Sequence, residues 1–387
     1  MNILLLNYEF PPIGGGAGKA THNLARELAG LGHKVDVLTS RLKSQPAKEA
    51  LDGFTVYRVM SWRKGIHDCG FRGALTYVIF AIFKFLQLTR KNKYDVIHYF
   101  FGLPTGFLSL LPGPQGKTPY ILSLRGSDVP GYDQYNKTLE RIHGLLAPLT
   151  RKIWRNAEQV IALSGSLKAT ALLTAPSQKI RVIPNGVDAL FLSPLRFSDR
   201  EQNGFKMIAV ARLVERKGLQ DVIKALAQLQ APDISLLIVG TGNYEKKLKK
   251  LCDDLFLQGR VSFYGFCHPR ELPELLVQNN VFILTSLAES FGTAFAEAMA
   301  CGLPVIASNT GGIPDFVNSE NGILVEPGNI DQIKTAILKM KSSPDLRAEM
   351  QRINREKMIQ QFSWGSIARQ HVAIYEKGRE PSALCSS

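Results

Sequence analysis

The sequence predicts an α/β protein built as two doubly wound parallel-sheet domains. Three observations lead there. The first half alternates short apolar runs with longer amphipathic stretches, the second half restarts the same scheme, and 387 residues are more than one hydrophobic core usually holds. In the first half the runs at 3–6 (ILLL), 34–38 (KVDVL), 55–59 (TVYRV), 96–98 (VIH), 120–124 (YILSL), 159–162 (QVIA) and 181–183 (RVI) are short, β-branched or aromatic, and read as strands. Between them, 20–31 and 139–156 have helical spacing of apolar residues. In the second half, strands are expected at 207–210, 235–239, 261–264, 281–284, 305–307 and 322–325, and helices at 219–229, 244–255, 293–300 and 331–339. The segment 193–204 carries Pro194, Asn203 and Gly204 between two patterned regions and reads as the hinge. Domains are therefore expected over 1–192 and 205–361. In such folds ligands bind outside the carboxyl ends of the strands, here in the cleft between two facing domains.

Composition narrows the function. The net charge of +14 is unevenly placed: residues 1–190 hold 24 Lys and Arg against 12 Asp and Glu, leaving 23 against 21 for the rest. A basic half points to an anionic partner. No recognition-helix signature or aromatic-interleaved basic run accompanies it, so nucleic acid is not the expected partner. The five cysteines are scattered, and none has metal-ligand or redox spacing. The first residues lack a basic n-region, and the longest apolar run, 74–83, is too short to cross a bilayer. These features lead to the expectation of a cytoplasmic protein.

The stretch GGGAGKAT, beginning at Gly14, invites a phosphate-binding reading. A P-loop would need glycine at position 13 and a hydroxyl at position 20, but Ile13 and Ala20 stand there. The dinucleotide spacing G-x-G-x-x-G fails at Lys19 and at Thr21. An ordinary strand-to-helix turn and a different kind of phosphate loop both remain.

The densest chemistry lies in ESFGTAFAEAMACGLPVIAS, from Glu289. Gly292-Thr293 opens a helix that stops at Gly302, with Pro304 beyond it. A glycine at a helix start lets backbone N–H groups approach an anion that the helix dipole favours. Glu289 and Glu297 flank that start, and carboxylates accept from paired sugar hydroxyls. They could equally be a loop charge and a solvated helix residue, although Glu297 interrupts an otherwise apolar helix. In AVARLVERKG a strand ends and presents Arg212 and Lys217, a planar fork and a point charge that could neutralise a diphosphate. Metal is the other way to do this, but no two aspartates lie two apart. Gly242 in VGTG and the glycine before Phe266 in YGF follow strands, where backbone can reach a flat base, although glycines are common in strand-end loops of any kind.

Together these residues resemble the family 4 glycosyltransferases, which have the GT-B fold. The matching features are the E-x7-E motif from Glu289 to Glu297, the Arg212 and Lys217 pair, IPNGVD from Ile183, VGTG from Val239, GGIPDFV from Gly311, and FSWGSIARQHVAIY from Phe362. The resemblance covers essentially the whole chain. It implies retaining transfer from a nucleotide-diphosphate sugar, UDP- or GDP-linked, to a glycan or lipid-linked acceptor in cell-surface polysaccharide synthesis, without metal or other cofactor. It implies that Glu297 holds the ribose, Glu289 the donor sugar, and Arg212 and Lys217 the diphosphate with the backbone of Gly292 and Thr293. Gly15 and Gly16 would touch the phosphate from the first domain. The final helix, over 362–379, would pack back on that domain. One departure stands out. Many family members carry a histidine where this chain has Arg125, with Asp128 following. Arg125 cannot accept a proton; on the acceptor or sugar side it could meet a carboxylate or phosphate, or pair with Asp128. A nucleotide-sugar epimerase of the same architecture is the rival reading.

The segment from Phe71 to Lys93 has a long apolar body and a basic end at Arg90, Lys91 and Lys93. It reads either as a helix packed on the sheet with a solvated tail, or as a helix that docks on an anionic membrane surface.

Overall fold

The computed structural model describes residues 1–63, 65–66, 69–111, 118–133, 136–192 and 204–378. The chain divides into two compact units, Met1–Gly186 with Trp364–Ser387, and Val187–Ser363.

In the first unit, strands β1 (Asn2–Leu6), β2 (Lys34–Arg41), β3 (Lys48–Leu51), β4 (Phe54–Met60), β5 (Val96–Phe100), β6 (Tyr120–Ser123), β7 (Gln159–Ala162) and β8 (Ile180–Val182) form one sheet. Their order is β3-β4-β2-β1-β5-β6-β7-β8. All neighbours are parallel except β3, which pairs antiparallel with β4. β3 was not expected from the sequence: it is short, polar and at the sheet edge. Its one readable signal is Asp52-Gly53, whose positive φ angles of 47° and 84° form the tight turn. Helices α1 (Gly16–Gly30), α2 (Gly70–Lys91), α3 (Lys137–Asn156) and α4 (Gly165–Thr174) cover the faces. Because α1 and α2 connect parallel strands, β1, β2 and β5 are buried on both sides and their sequences read as apolar runs.

The second unit holds β9 (Phe205–Val210), β10 (Ile234–Val239), β11 (Val261–Gly265), β12 (Val281–Leu284), β13 (Val305–Ser308) and β14 (Gly322–Val325), all parallel. The order is β11-β10-β9-β12-β13-β14. Helices α5 (Ala189–Leu192), α6 (Leu219–Gln228), α7 (Glu245–Asp254), α8 (Leu272–Val277), α9 (Thr293–Ala300), α10 (Ile330–Ser342) and α11 (Pro344–Gln361) complete it. The last helix, α12 (Trp364–Lys377), belongs to the first unit. It buries Trp364, Ile367, Ala368, Ile374 and Tyr375 in the core formed by α1 and β1. Each large side chain so buried contributes roughly 1.5–3 kcal/mol. A Cβ on Gly186 would come within 2.6 Å of the Trp364 ring, so the glycine of IPNGVD makes room for the tryptophan of FSW.

Two sequence expectations change here. The first unit ends at Gly186, not at 192, and the second runs from Val187 through Ser363 instead of 205–361. The reason is that 187–192 is tied to the second unit's helices. Val187 N donates to Phe362 O at 2.7 Å, and the Arg355 guanidinium donates to Phe191 O at 3.5 Å and Leu192 O at 2.7 Å. The expected hinge, up to Asn203, and residue 379 of the final helix lie outside the described residues. Second, α2 has 22 residues and is long and apolar enough, by length and composition, to cross a membrane, which the run 74–83 alone does not indicate. It lies along the sheet, burying Tyr77, Ala81, Phe85 and Leu88 on one face.

Candidate functional site

In each sheet the strand order reverses at one place. In the second unit it reverses between β9 and β12, so the loops leaving these two strands are neighbours at the carboxyl edge. The loop after β9 carries Arg212 and a 3-10 turn over Glu215–Lys217; the loop after β12 carries Ser286 and Glu289 and leads into α9.

The two loops interlock through backbone. Gly218 has a φ of +70°, and a Cβ there would overlap the carbonyl of Thr285. Thr285 Oγ1 donates to Gly218 O at 2.8 Å, and Leu287 N donates to Arg216 O at 2.8 Å. This lacing brings Lys217 Nζ against Glu289 Oε1 as an ion pair, with both side chains mostly buried. Ser286 Oγ donates to the same carboxylate oxygen at 3.2 Å. A third loop, after β13, closes on Glu289 from its backbone side. Gly312 N donates to Glu289 O at 3.1 Å, and Gly311, with a φ of +57°, leaves no room for a Cβ beside that carbonyl. Ser286, Gly218 and the packing role of Gly311 were not identified from sequence, because each acts through a contact between distant loops.

Helix α9 begins beyond Glu289. Its N-cap is Gly292, in the left-handed region at φ +95°, and no side chain caps it. Phe295 N and Ala296 N turn back to Gly292 O. An uncapped helix start exposes backbone donors and the positive end of the dipole. Thr293 and Glu297 are half-buried on this helix, between buried Phe295, Ala296, Ala298 and Met299. Arg212 is exposed and has no side-chain partner among the described residues. Among the predicted residues, Lys217 and Glu289 are thus in direct contact, and Gly292 and Thr293 form the helix start beside them.

Gly242 and Phe266 leave the neighbouring strands. A Cβ on Gly242 would overlap Leu213 O, and Tyr244 N donates to that oxygen at 3.0 Å. Packing of the β10 loop on the β9 loop therefore already requires glycine there. Phe266 follows Gly265 (φ +81°) and is 73% exposed, an aromatic face left to solvent.

The first unit has its own reversal, between β1 and β5. The glycine stretch follows β1. Asn7 anchors the loop, donating to Thr21 Oγ1 at 2.7 Å and Ala17 O at 3.2 Å. Gly14 has φ +87° and a Cβ there would meet the Glu9 side chain; a Cβ on Gly18 would come within 2.9 Å of Ile13 O. Gly15 differs: it is the N-cap of α1, its amide donates to Glu9 Oε2 at 3.4 Å, and a Cβ there would meet nothing within 4 Å. Gly16 begins the helix.

Arg125 and Asp128 follow β6. The pairing entertained from sequence does not form. Asp128 is buried, and its carboxylate accepts from Gly102 N at 2.6 Å, Arg125 N at 2.8 Å and Gly126 N at 3.0 Å. Burial raises its pKa, which these backbone donors partly offset. Asp128 thus braces its own loop through backbone donors. Arg125 stacks on the Phe100 ring, with Cζ 4.9 Å from the centroid, and its Nε and Nη2 are buried without a hydrogen-bond partner among the described residues. Burial lowers its pKa to about 10, so it stays cationic near neutral pH. Beside it is an enclosed cavity with room for roughly one water, lined by Phe100, Ser123, Asn185, Trp364 and His371. Beneath Phe100 lies His98, stacked at 4.5 Å, and then His371 of α12 at 5.5 Å. His98 Nδ1 is 2.7 Å from the Tyr375 hydroxyl and Nε2 is 2.8 Å from Ser123 Oγ. Burial lowers the pKa of both histidines, His371 to about 4.

Comparison with known proteins places these features in context. The model for "Glycosyltransferase Family 4" matches residues 14–189, and that for "Glycosyl transferases group 1" matches 195–357. A glycosyltransferase of Methanocaldococcus jannaschii is 30% identical over 98% of this chain and 99% of its own. Sucrose-phosphate synthase from Thermosynechococcus elongatus shares the GT-B fold with a TM-score of 0.81 at 24% identity, over 97% of this chain and 98% of that one. An Anabaena protein, HepE, solved in complex with UDP-glucose, has a TM-score of 0.74 at 22% identity, over 97% of this chain and 100% of that one.

Proposed function

Because the chain belongs to glycosyltransferase family 4, we propose that it moves a hexose from a UDP- or GDP-sugar to a glycan or lipid-linked acceptor, with retention and without metal. The acceptor belongs to cell-surface polysaccharide synthesis. The observation that carries this reading is the Lys217–Glu289 pair at the strand-order reversal, beside the uncapped start of α9.

Lys217 has three donors and gives one to Glu289, which leaves two for the diphosphate. Arg212 and the backbone N–H groups at Gly292 and Thr293 complete an anion site. Charge builds on the diphosphate as the glycosidic bond breaks, so cations and amides fixed there stabilise the transition state more than the ground state. Glu289, held by Ser286 and Lys217, receives donor-sugar hydroxyls. Glu297 receives the ribose, and Phe266 with the Gly242 loop borders the base. Within the first unit, the start of α1 at Gly15 and Gly16 is a further anion position, its Gly15 amide shared with Glu9 Oε2 at 3.4 Å. Arg125 receives an anionic group, carboxylate or phosphate, since Asp128 is not available to it.

A panel of nucleotide sugars, incubated with and without lipid extract, tests the proposal. Acceptor-dependent release of nucleoside diphosphate is expected from one donor, and its loss in Lys217→Ala and Glu297→Ala variants that keep their far-UV spectrum. An isomerised sugar formed without acceptor would replace the transferase with the epimerase reading.

A further inference from the structure

The first unit carries an apolar face that its own core does not use. Helix α2 buries one side on the sheet, and its other side is open: Phe71 is 71% exposed, Phe83 70% and Leu75 50%, with Ile79 also exposed. These four residues are spaced by four and form one stripe at 3.6 residues per turn. Trp62, just before the helix, is 65% exposed. Soluble surfaces seldom leave so many large apolar side chains contiguous.

The same stripe is basic at both ends. Arg72 stands beside Phe71, and Arg90 and Lys91 end the helix; all three are exposed. From residue 69 through 94 there is no Asp or Glu. A groove next to the helix adds Arg41 and Lys84 to the apolar Met60, Phe80 and Phe83. A second copy of the chain docking here would set cation against cation, because a two-fold contact presents the same patch twice. A surface that is apolar inside and anionic outside fits both halves of the pattern.

We propose that this face seats the protein on an anionic lipid bilayer. Helix α2 lies in the plane of the interface, its stripe of Phe71, Leu75, Ile79 and Phe83 immersed together with Trp62. Arg72, Arg90 and Lys91 meet the headgroups. The surface uses no residue of the proposed transfer site, so its test reads binding and not turnover.

Trp62 supplies a built-in probe, because Trp154 is fully buried and Trp364 is 6% exposed. Full-length protein is mixed at low salt with vesicles of phosphatidylcholine alone or with phosphatidylglycerol added. Co-flotation with the anionic vesicles is expected, with a blue shift of tryptophan emission that Trp62→Phe removes. Replacing Arg72 and Arg90 by Gln should weaken partitioning about 25-fold, roughly fivefold for each arginine. Phe71→Ser with Phe83→Ser should abolish the shift while leaving thermal stability unchanged. Equal flotation with neutral vesicles, an unshifted Trp62, or a concentration-dependent dimer that shields Trp62 from iodide without lipid would each overturn the proposal.

Discussion

Acid should loosen α12 from the first unit. His371, on that helix, is buried against His98, with Arg125 and Arg181 also acting on it and no carboxylate among the described residues to offset them. Its Nδ1 is 2.9 Å from Ile367 O. The unfolded chain takes up a proton on this ring near pH 6.5, but the folded chain does so only near pH 4. Between those values the unfolded state binds more protons, so stability falls as pH falls. At about 1.4 kcal/mol per pH unit, the gap from 6.5 to about 4 comes to roughly 3 kcal/mol. His98, also depressed by burial, acts in the same direction. All three tryptophans, Trp62, Trp154 and Trp364, belong to the first unit, so their fluorescence during urea unfolding reports that unit alone. Between pH 6.5 and 4 the wild type should lose roughly 3 kcal/mol more stability than His371→Leu. Other acid-sensitive groups are common to both proteins and cancel in the comparison. Equal pH slopes for the two proteins would refute the assignment of a buried, neutral His371.

Three further perturbations address the site. Lys217→Ala should destabilise the second unit by about 1–3 kcal/mol, because it leaves the Glu289 carboxylate mostly buried without its cation. In a double-mutant cycle with Glu289→Ala followed by circular dichroism, the double variant should lose less than the sum of the singles; strict additivity would count against the pair. Gly218→Ala should cost the second unit at least about 2 kcal/mol, since the left-handed backbone and the overlap with the Thr285 carbonyl both oppose a Cβ; an unchanged melting curve would show that these loops do not interlock. Gly16→Val should leave the fold intact and lower donor turnover by obstructing the approach of phosphate to the α1 start; undiminished turnover would return that loop to an ordinary turn.

Much of the architecture was legible because its strands are parallel and covered by helices. Such strands bury both faces, and runs like the ILLL of β1 and the VFIL of β12 cannot be mistaken for surface. β3 was missed for the converse reason: Lys48–Leu51 borders solvent, and a polar edge strand has no apolar signature. Glu289, Glu297 and Lys217 were legible as charges close to apolar or glycine-rich elements. What they touch was not, because the Lys217–Glu289 contact depends on which two loops the strand order makes neighbours. Asp128 shows the limit. A loop carboxylate reads the same whether it faces a sugar or three backbone N–H groups of its own unit. For α2, an apolar body was plain, but periodicity could not say which side the sheet would leave uncovered.

The return of α12 to the first unit sets an order on biogenesis. A ribosome delivers Val187–Ser363 whole before it releases Trp364, so the later unit can close while the earlier one still lacks Trp364, Ile374 and Tyr375 from its core. The usual succession, in which the N-terminal domain finishes first, is inverted. The nascent first unit waits with an open flank on α1 and a solvated His98 until the last helix emerges. Any truncation that removes the final helix therefore strikes the half of the protein encoded farthest from it.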